Sequence, residues 1–436
     1  MKSHNTTPGR LPAASTAALG GAIALPPSPN HAYAQGSDEI RVALIGAGGR
    51  GTGAVGQLFR TKGNVKLVSV ADAFKEKASR QVEVLRRQFP DKVDVAPDTV
   101  FEGLDAFKQA IDTDCDLVVI ASPSGIKPYQ FEYAVSKGKH VFCEKPVASD
   151  APGVRRFMAA VERSKQSKLN VAIGFHRRHE TQYTNAIERI HNGEIGDVLH
   201  TRVYYNASGI WYRPPKPEWT EMQNQCNNWY HFLWASGDQI VEQHVHNIDM
   251  GCWAKQAYPV SANGMGGWKR RLNGDGKQSQ IYDHTFVEYT FADGTTMHSQ
   301  GRHLRNAFNR DAEYVQGTKG RAYIPGMIEV DGQRIRTGGR GGGHQNEQNK
   351  LIDSIMAGEV YNEGDYGWKS TFAAILGRDA CYSGKVVKWD DLLAKGKDLC
   401  PDIDTWDWDT APPTVKDPVT GAYDIPKPGI YNPFAE

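Results

Sequence analysis

A glycine-rich turn placed between two apolar runs is the feature that most constrains this fold. Residues 41–45 form the first run and lead into Gly46-Ala47-Gly48-Gly49-Arg50-Gly51, and the second run, 66–71, ends on Asp72. A Gly-x-Gly-x-x-Gly turn after an apolar strand, with an acidic residue about twenty positions later, is typical of a Rossmann dinucleotide-binding unit. The sequence therefore predicts a βαβ unit that binds a dinucleotide.

The residue types in this turn fit the chemistry of a dinucleotide. We expect Gly46 to permit the tight turn, Gly48 to let the backbone approach the pyrophosphate, and Gly51 to let the helix pack closely on the strand. The free N–H groups at the helix N-terminus then bind the phosphates. Asp72 is expected to accept hydrogen bonds from the adenosine ribose, and its charge disfavours a 2′-phosphate, so the sequence favours NAD over NADP.

The composition limits the classes of partner. The chain has 436 residues, enough for two domains, and its 51 basic and 50 acidic side chains leave a net charge of +1. So small a net charge predicts no general affinity for nucleic acid. The six cysteines include no Cys-x-x-Cys pair, which argues against a structural zinc site, although Cys226, Cys252 and Cys400 could pair in an exported protein.

The first 34 residues have the pattern of a secretory signal peptide. Lys2 and Arg10 supply positive charge, residues 13–25 are small and apolar, and Ala32-Tyr33-Ala34 matches a cleavage site. We therefore expect an exported, periplasmic protein; the alternative is a disordered tail on a cytoplasmic one. The apolar run is too short for stable membrane insertion, and the sequence lacks the paired arginines of the twin-arginine route.

The hydrophobic pattern divides the rest of the chain into two domains and an arm. In residues 35–179, wholly apolar strands alternate with amphipathic helices, which predicts an α/β, doubly wound parallel sheet covered on both faces. In residues 180–400, strands that alternate apolar and polar residues predict a second α/β domain with antiparallel strands. A late helix at about 370–384 is expected to pack back on the first domain, and residues 401–436 are expected to form an extended arm.

Lys145 is the first candidate for chemistry. The strand 140–143 ends in Glu144-Lys145-Pro146, and side chains at the carboxyl end of a parallel strand face the ligand crevice. Lys145 is therefore expected where a nicotinamide ring and a substrate would meet, and Pro146 is a candidate for a cis peptide bond. The alternative is a surface ion pair followed by a turn.

A second candidate group lies in residues 237–250. Apolar residues recur there at helical spacing, and on one helix Glu242, His246 and Asp249 would share a face, with His244 roughly opposite. A carboxylate one turn before a histidine can hold the imidazole and raise its basicity, which suits a general base. Two alternatives stay open, namely a metal site formed by these three residues and a polar helix face without a catalytic role.

Taken together, these motifs resemble the Gfo/Idh/MocA oxidoreductases, named for glucose–fructose oxidoreductase and inositol dehydrogenase. The resemblance covers nearly the whole chain after the signal and rests on residues 46–51, 138–146, 242–249 and 362–384. It implies a Rossmann domain followed by an α/β domain with a large open, mostly antiparallel sheet. Because that sheet is often buried between subunits in the family, we expect a homodimer or homotetramer formed through it.

The resemblance also assigns residues. It implies that Lys145 and His246 are catalytic, with Glu242 at the position where the family has an aspartate and Asp249 matching a second family aspartate. His244 stands where many members have glycine, so it could narrow the pocket or contact the substrate. The expected cofactor contacts are Gly46, Gly48, Gly49, Arg50, Gly51, Asp72, Ser122, Pro123, Glu144 and Lys145.

The implied reaction is hydride transfer between NAD and a secondary hydroxyl of a sugar or polyol. His246 would take the hydroxyl proton, Lys145 would stabilise the alkoxide, and Glu242 would orient His246 or bind a neighbouring hydroxyl. An exported enzyme of this kind is expected to hold its NAD tightly, and no metal is expected. The candidate substrate contacts are Arg177, Arg178, His244, Asp249, Trp211 and Tyr212.

Three further functions are compatible with these residues. Some members of the family, the NAD-dependent α-N-acetylgalactosaminidases, cleave glycosides through transient oxidation, elimination and re-reduction, so that the cofactor is recycled. A self-recycling oxidoreductase would pass hydride between two sugars. A non-catalytic nucleotide-binding sugar sensor would keep the glycines but would gain nothing from the joint presence of Lys145 and His246.

Overall fold

Two sheets organise the chain. The structure is a computed structural model that describes residues 39–268 and 278–435. The predicted signal peptide, residues 1–34, lies outside the described residues. One sheet is built from the part of the chain before residue 174, and the other begins after residue 197.

The first unit alternates strands and helices. Its elements are β1 (Glu39–Ile45), α1 (Gly49–Leu58), β2 (Asn64–Asp72), α2 (Lys75–Gln88), β3 (Val100–Glu102), α3 (Ala106–Ile111), β4 (Leu117–Ile120), α4 (Lys127–Ser136), β5 (His140–Cys143), α5 (Ala151–Gln166) and β6 (Val171–Ile173). The six strands are parallel and lie in the order β3-β2-β1-β4-β5-β6. This order confirms the predicted doubly wound parallel sheet and places a switch point between β1 and β4, the position at which such sheets bind ligands.

Apolar strands make this sheet a buried layer. Every residue of β4 is buried, because helices cover both faces of the sheet. Successive residues of β1 serve the two faces: Leu44 packs in the apolar cluster that includes α1, and Ile45 packs in the cluster that includes α4 and α5. The pattern of the sequence does not predict β3, because three residues are too few to show a period.

The second unit is built around a nine-stranded sheet. Its elements are α6 (Thr181–His191), β7 (Val198–Ala207), α7 (Glu221–Asn227), α8 (Leu233–Ser236), α9 (Gln239–Glu242), α10 (Val245–Lys255), β8 (Ser261–Gly267), β9 (His284–Thr290), β10 (Thr296–His303), β11 (Arg310–Gly317), β12 (Gly320–Ile324), β13 (Met327–Val330), β14 (Gln333–Arg336), α11 (Gly343–Ala357), α12 (Gly364–Ser383), β15 (Val387–Lys388) and α13 (Trp389–Lys395). The strand order is β14-β13-β12-β11-β7-β10-β9-β8-β15. Strands β7 and β10 pair in parallel, whereas the other described neighbours are antiparallel, which confirms the expected mostly antiparallel sheet.

One face of the second sheet is covered and the other is open. In β10 the side chains of Met297, Ser299 and His303 are buried, and those between them are more exposed. Helices α10 and α12 pack against the covered face. The open face carries Met265 and Phe286, which are paired across β8 and β9 and are both exposed. An antiparallel sheet with one wet face gives this alternation of buried and exposed residues.

Helix α12 joins the two units. Every residue from Ser370 to Ser383 is buried, because the helix packs on β8 and β9 of the second sheet and also on α5 and β6 of the first unit. A helix buried on all sides has no polar stripe. The sequence pattern predicts the helix only from about residue 370, whereas it begins at Gly364. Gly364 and Gly367 lower the helix propensity of the part that the pattern misses.

A C-terminal arm, residues 399–435, follows the second unit along the surface. Within it Lys416 pairs with Tyr423, and Phe434 pairs with Gly396 just before the arm. Tyr423 and Ile425 are buried, so the arm packs on the rest of the chain without helices longer than a single turn.

Two further expectations concern disulfide pairing of the cysteines and insertion into a membrane. All six thiols are free, so Cys226, Cys252 and Cys400 do not pair. No helix in residues 39–268 and 278–435 is both long and apolar enough to cross a membrane.

Candidate active site

The glycine-rich turn after β1 is closely packed on one side and open on the other. Gly46 has a φ of +88°, and a Cβ there would lie 2.7 Å from the backbone of Ala121 and of Ser122. Gly51 is equally confined, since a Cβ would meet the carbonyl oxygen of Gly46. Around Gly48 and Gly49, in contrast, a Cβ would meet no atom within 4 Å. The turn therefore leaves room for a ligand above the N-terminus of α1, where N–H groups favour phosphate, and this fits a dinucleotide.

Asp72 is held at the carboxyl end of β2. Its carboxylate accepts hydrogen bonds from the backbone N–H groups of Ala47 (2.8 Å) and Phe74 (3.1 Å), and only 8% of the residue is exposed. The Nζ atom of Lys77 lies 3.7 Å away. These contacts fix the carboxylate beside the glycine-rich turn, at the position that a Rossmann unit uses for the adenosine ribose.

A cavity of about 390 Å³ extends from the turn. Its lining includes Gly46, Gly48, Gly49, Arg50, Asp72, Ser122 and Pro123, so seven of the predicted cofactor contacts share one cavity. The cavity reaches Arg50, whose Nε lies 2.7 Å from a carboxylate oxygen of Glu144. Lys145 and His246 are outside this lining. Lys145 directly follows Glu144, the residue whose carboxylate meets Arg50 of the cavity wall.

The Lys145 ammonium faces the second unit. Its Nζ donates to the backbone carbonyl of Glu242 (2.7 Å) and lies 3.6 Å from Oε1 of the same residue. The other carboxylate oxygen of Glu242 accepts from Ser124 Oγ (3.0 Å). The peptide bond between Lys145 and Pro146 is cis, as the sequence suggested. Lys145 and Glu242, two of the residues predicted to be catalytic, therefore lie in one cluster.

A second lysine, which the sequence reasoning missed, supports the first. Lys127 is buried at the start of α4, and its Nζ donates to the carbonyls of Lys145 (3.2 Å) and Pro146 (2.9 Å). Burial lowers the pKa of Lys127, and the nearby carboxylate of Glu242 opposes that change. Its position next to Pro128 at a helix start gives no sequence signal for this role.

His246 lies in the first turn of α10 and is 8% exposed. Its ring meets Phe175 and His176 edge-on, with centroids 6.0 and 4.8 Å apart. Burial lowers the pKa of His246 well below 6.5, and the Lys145 ammonium lowers it further. The Nδ1 atom has no hydrogen-bond partner among the described residues. His246 is therefore a neutral imidazole that is able to accept a proton.

The prediction of one continuous helix through Glu242, His246 and Asp249 is wrong. Helix α9 ends at Glu242, and α10 begins at Val245. The break turns the Glu242 carboxylate toward Ser124 and Lys145, and no hydrogen bond joins it to the described His246 ring. Among the described residues, no group of three or more His, Cys, Asp or Glu side chains is arranged to hold a metal ion. Glu242, His246 and Asp249 are among the described residues, so they do not form such a group.

Asp249 and Arg178 are paired with each other. The guanidinium binds the carboxylate through two nitrogens at 2.7–3.1 Å, and Ser370 Oγ also donates to Asp249. The guanidinium lies over the rings of Tyr366 and Trp253. Burial alone would lower the pKa of Arg178, but the Asp249 carboxylate raises it. The Arg178 guanidinium and the Asp249 carboxylate are therefore hydrogen-bond partners of each other. The pair lies between α10, α12 and the turn after β6.

Arg177 and His244 also have protein partners. Arg177 is buried and forms ion pairs with Asp311 (2.8 Å) and Glu313 of β11. His244 is fully buried, and its Nε2 hydrogen-bonds to Ser299 Oγ (2.7 Å) on the covered face of the second sheet. His244 and His246 thus have different partners: the His244 ring contacts the sheet, and the His246 ring meets Phe175 and His176.

The two aromatic candidates differ in their surroundings. Trp211 lines the cavity, is 37% exposed, and has the Arg213 guanidinium 3.9 Å from its ring centroid. Tyr212 donates from its hydroxyl to Gln278 Oε1 (3.0 Å). Of the six predicted substrate contacts, Trp211 is therefore the one that the structure places on the cavity wall.

Comparison with known proteins agrees with this geometry. Residues 40–173 match the Gfo/Idh/MocA family, described as an oxidoreductase family with an NAD-binding Rossmann fold. This range contains all six strands of the first sheet apart from the first residue of β1. The first unit is therefore similar, over nearly all of its sheet, to the NAD-binding Rossmann fold of that family.

Inositol dehydrogenases are among the curated relatives of this chain. An NAD⁺-dependent scyllo-inositol 2-dehydrogenase of Bacillus subtilis is 26% identical over 228 residues, which are 52% of this chain and 57% of that protein. An inositol 2-dehydrogenase of Gluconacetobacter diazotrophicus is 32% identical over 226 residues, 50% of this chain and 56% of that protein. The chain thus matches little more than half the length of these curated relatives.

Solved structures share the fold over more of the chain. A scyllo-inositol dehydrogenase from Lactobacillus casei with bound NAD(H) and scyllo-inositol has a TM-score of 0.61 and 20% identity, covering 81% of this chain and 100% of that one. An aldose–aldose oxidoreductase from Caulobacter crescentus, in complex with glycerol, has a TM-score of 0.62 and 18% identity, covering 80% of this chain and 100% of that one. At these identities the likeness establishes the two-unit fold.

Proposed function

We propose that this chain is an NAD-dependent oxidoreductase that acts on a secondary hydroxyl of a polyol or sugar. The observation that carries the proposal is the cluster of Lys145 and Glu242 next to Glu144, which pairs with Arg50 of the glycine-lined cavity, together with the neutral imidazole of His246 four residues after Glu242. A cation and a neutral base are the groups that alcohol oxidation requires.

The two catalytic residues have different tasks. NAD, when bound, supplies the acceptor for the hydride that leaves the alcohol carbon. His246 accepts the hydroxyl proton, because burial keeps its imidazole neutral at physiological pH. Lys145 stabilises the negative charge that develops on the alcohol oxygen, since an ammonium has three N–H donors and Glu242 uses one of them.

Glu242 is proposed to position Lys145. Its carbonyl and its carboxylate both lie next to the ammonium, at 2.7 and 3.6 Å. Ser124 holds the far carboxylate oxygen, so Glu242 is fixed between the loop after β4 and the lysine. The Glu242 carboxylate would therefore have to give up its contact with Ser124 or with Lys145 in order to bind a neighbouring substrate hydroxyl.

The substrate class follows from the relatives and the cavity wall. The curated relatives named above are inositol dehydrogenases, and inositol is a ring polyol. The exposed Trp211 ring on the cavity wall suits the apolar face of such a ring. We favour NAD over NADP because Asp72 places a fixed negative charge at the adenosine end of the cavity.

We also propose that the open face of the second sheet forms a subunit interface. Met265 is 70% exposed and Phe286, its neighbour across the strands, is 40% exposed. Apolar residues of this size on the outer face of a sheet are typical of an interaction surface. We expect the molar mass measured by light scattering to be that of a dimer or tetramer. In the double variant Met265→Lys/Phe286→Lys, the measured mass should shift toward that of the monomer.

A substrate panel tests the proposed activity. The purified chain is incubated with NAD⁺ or NADP⁺ and with scyllo-inositol, myo-inositol or aldoses, and formation of the reduced nucleotide is followed by absorbance. We expect reduction of NAD⁺ with at least one cyclic polyol or sugar. Reduction with none of them, by protein shown to bind NADH, would contradict the proposed function.

A further inference from the structure

The C-terminal arm reaches the cavity that begins at the glycine-rich turn. Ile403, Asp404 and Trp406 are part of the cavity wall, together with Rossmann residues that follow β2, β3 and β4. These arm residues stand more than 330 positions after Asp72 in the sequence. A segment that is remote in the chain thus completes the wall of the proposed nucleotide site.

Aromatic packing holds this part of the arm in place. The Trp406 ring meets Trp234 edge-on, with centroids 5.2 Å apart, and its Nε1 donates to the carbonyl of Pro401 (3.0 Å). Two residues later, Trp408 stacks on Phe74, with centroids 5.7 Å apart. Phe74 is also stacked on Trp219, so an aromatic row of three rings joins the arm to the loop that follows Asp72.

The base of the arm is anchored by polar contacts. The backbone N–H of Leu399 donates to the buried carboxylate of Asp150 (2.7 Å), and the thiol of the buried Cys400 contacts the carbonyl of Trp234 (3.3 Å). Farther along, Asp404 lies 3.8 Å from the Arg156 guanidinium. Residues 399–408 are therefore fixed to both units of the protein.

The second unit adds another part of the same wall. Cys226, Trp229 and Trp234 of the second unit line the cavity together with Leu104, Ile126 and Tyr129 of the Rossmann unit. Because the solved structures are covered completely and yet match only about four fifths of this chain, this protein carries additional segments relative to them. The Rossmann unit, the second unit and the C-terminal arm thus each contribute residues to the cavity wall.

We infer that residues 403–408 of the C-terminal arm belong to the nucleotide site and retain the dinucleotide, so that release requires this segment to leave the cavity wall. The inference rests on the proposed use of NAD. Trp406 of the arm lines the cavity and packs on Trp234, and Trp408 stacks on Phe74, a wall residue in the loop after Asp72. Displacing the arm therefore breaks the Trp406–Trp234 and Trp408–Phe74 contacts before the ligand can leave.

The rate of nucleotide release is the direct test. Full-length protein is loaded with NADH, mixed with excess NAD⁺, and the loss of bound-NADH fluorescence gives the dissociation rate constant. We expect Trp406→Ala to raise this constant about tenfold, as loss of one aromatic contact predicts. Val419→Ala, at a 91% exposed position of the same arm, is the matched control and should leave the constant unchanged. Equal rates in the two variants would overturn the inference.

A measurement on the unaltered protein covers the case in which Trp406→Ala does not fold. Hydrogen exchange of wild-type protein is compared with and without NADH. We expect slower exchange in residues 403–408 and no change at Thr420 and Gly421, whose N–H groups bond within a local turn to Asp417. Unchanged exchange at 403–408 with NADH bound would overturn the inference.

These readouts separate the inference from the proposed function. Neither measurement uses turnover, so a chain that binds NADH and oxidises no alcohol contradicts the proposed function alone. Equal NADH release from Trp406→Ala and Val419→Ala in an active enzyme contradicts the inference alone. A chain that binds neither NADH nor NADPH contradicts both.

Discussion

The Lys145 ammonium donates a 2.7 Å hydrogen bond to the backbone carbonyl of Glu242, 97 residues later in the chain. The contact joins the carboxyl end of β5 in the Rossmann unit to the end of α9 in the second unit. Lys127 also donates to the backbone carbonyls of Lys145 and Pro146. The lysine is therefore held in place by both units without help from a substrate, which is what electrostatic stabilisation of a transition state requires.

Replacing Lys145 with methionine tests its proposed role. Methionine keeps much of the side-chain volume but removes the charge that stabilises the alkoxide. We expect kcat to fall by about 10²–10³-fold, comparable to the loss of one oxyanion-stabilising donor in other enzymes. Lys385→Met, at an exposed lysine outside the cavity, is the control. Steady-state kinetics that show similar kcat values for both variants would refute the assignment.

Replacing His246 with glutamine tests the proposed general base. Glutamine retains hydrogen-bonding capacity but cannot accept the proton, so we expect kcat to fall by about 10²–10⁴-fold. Because burial lowers the pKa of His246, wild-type kcat/KM should decline only at a pH below 6.5, and the variant should lose this acidic limb. His284→Gln, with an exposed ring, is the control. An acidic limb that persists unchanged in H246Q would assign the base to another group.

Local sequence patterns predicted the parts of the site that depend on neighbouring residues. The glycine turn, its distance to Asp72 and the Glu144-Lys145-Pro146 segment each follow from one strand end and its continuation. The cis bond at Pro146 and the order of the first sheet agree with that reasoning. Such features need only the strand direction and the steric freedom of glycine.

Contacts between remote segments were not predictable in the same way. Helical spacing alone suggested that Glu242 and His246 share a face, but the helix is broken between α9 and α10, and Glu242 contacts Ser124 and Lys145 instead. Arg177 and Arg178 looked available for substrate, yet Asp311 and Asp249, distant in sequence, pair with them. A periodicity argument cannot supply such partners, because it contains no information about which elements meet.

Replacing Asp249 with asparagine distinguishes a structural role from the predicted substrate contact. The change leaves the buried Arg178 charge without its partner, so we expect the free energy of unfolding to fall by about 3–5 kcal/mol. The KM for the polyol should stay close to that of the wild type. Denaturant titration supplies the first value and kinetics the second. The control, Glu162→Gln, removes an exposed partner of Lys165 and should cost less than about 1 kcal/mol. A stable D249N with a large increase in KM would instead support a substrate contact.

Replacing Asp72 with serine tests the basis of the NAD preference. Serine removes the negative charge at the adenosine end of the cavity, where Lys77 then remains within reach of a 2′-phosphate. We expect the ratio of kcat/KM for NAD⁺ to that for NADP⁺ to fall by about tenfold or more, since one lost charge contact is worth roughly 1.4 kcal/mol or more. Asp105→Ser, on the same cavity wall, is the control. Equal cofactor ratios in D72S and the wild type would show that another feature sets the preference.

His244 makes stability depend on pH in a defined direction. Burial lowers its pKa to about 3 in the folded protein, whereas an unfolded chain has a histidine pKa near about 6.5. Between these two values the unfolded chain binds a proton that the folded protein does not, so the free energy of unfolding decreases as the pH falls. One such histidine contributes a slope of about 1.4 kcal/mol per pH unit. Urea titrations from neutral pH downward should therefore show that the free energy of unfolding falls less steeply with pH for His244→Gln than for the wild type, by about that amount.

His284→Gln, at an exposed ring, serves as the control. If H244Q and the wild type lose stability equally on acidification, burial does not keep the His244 imidazole neutral in the folded protein.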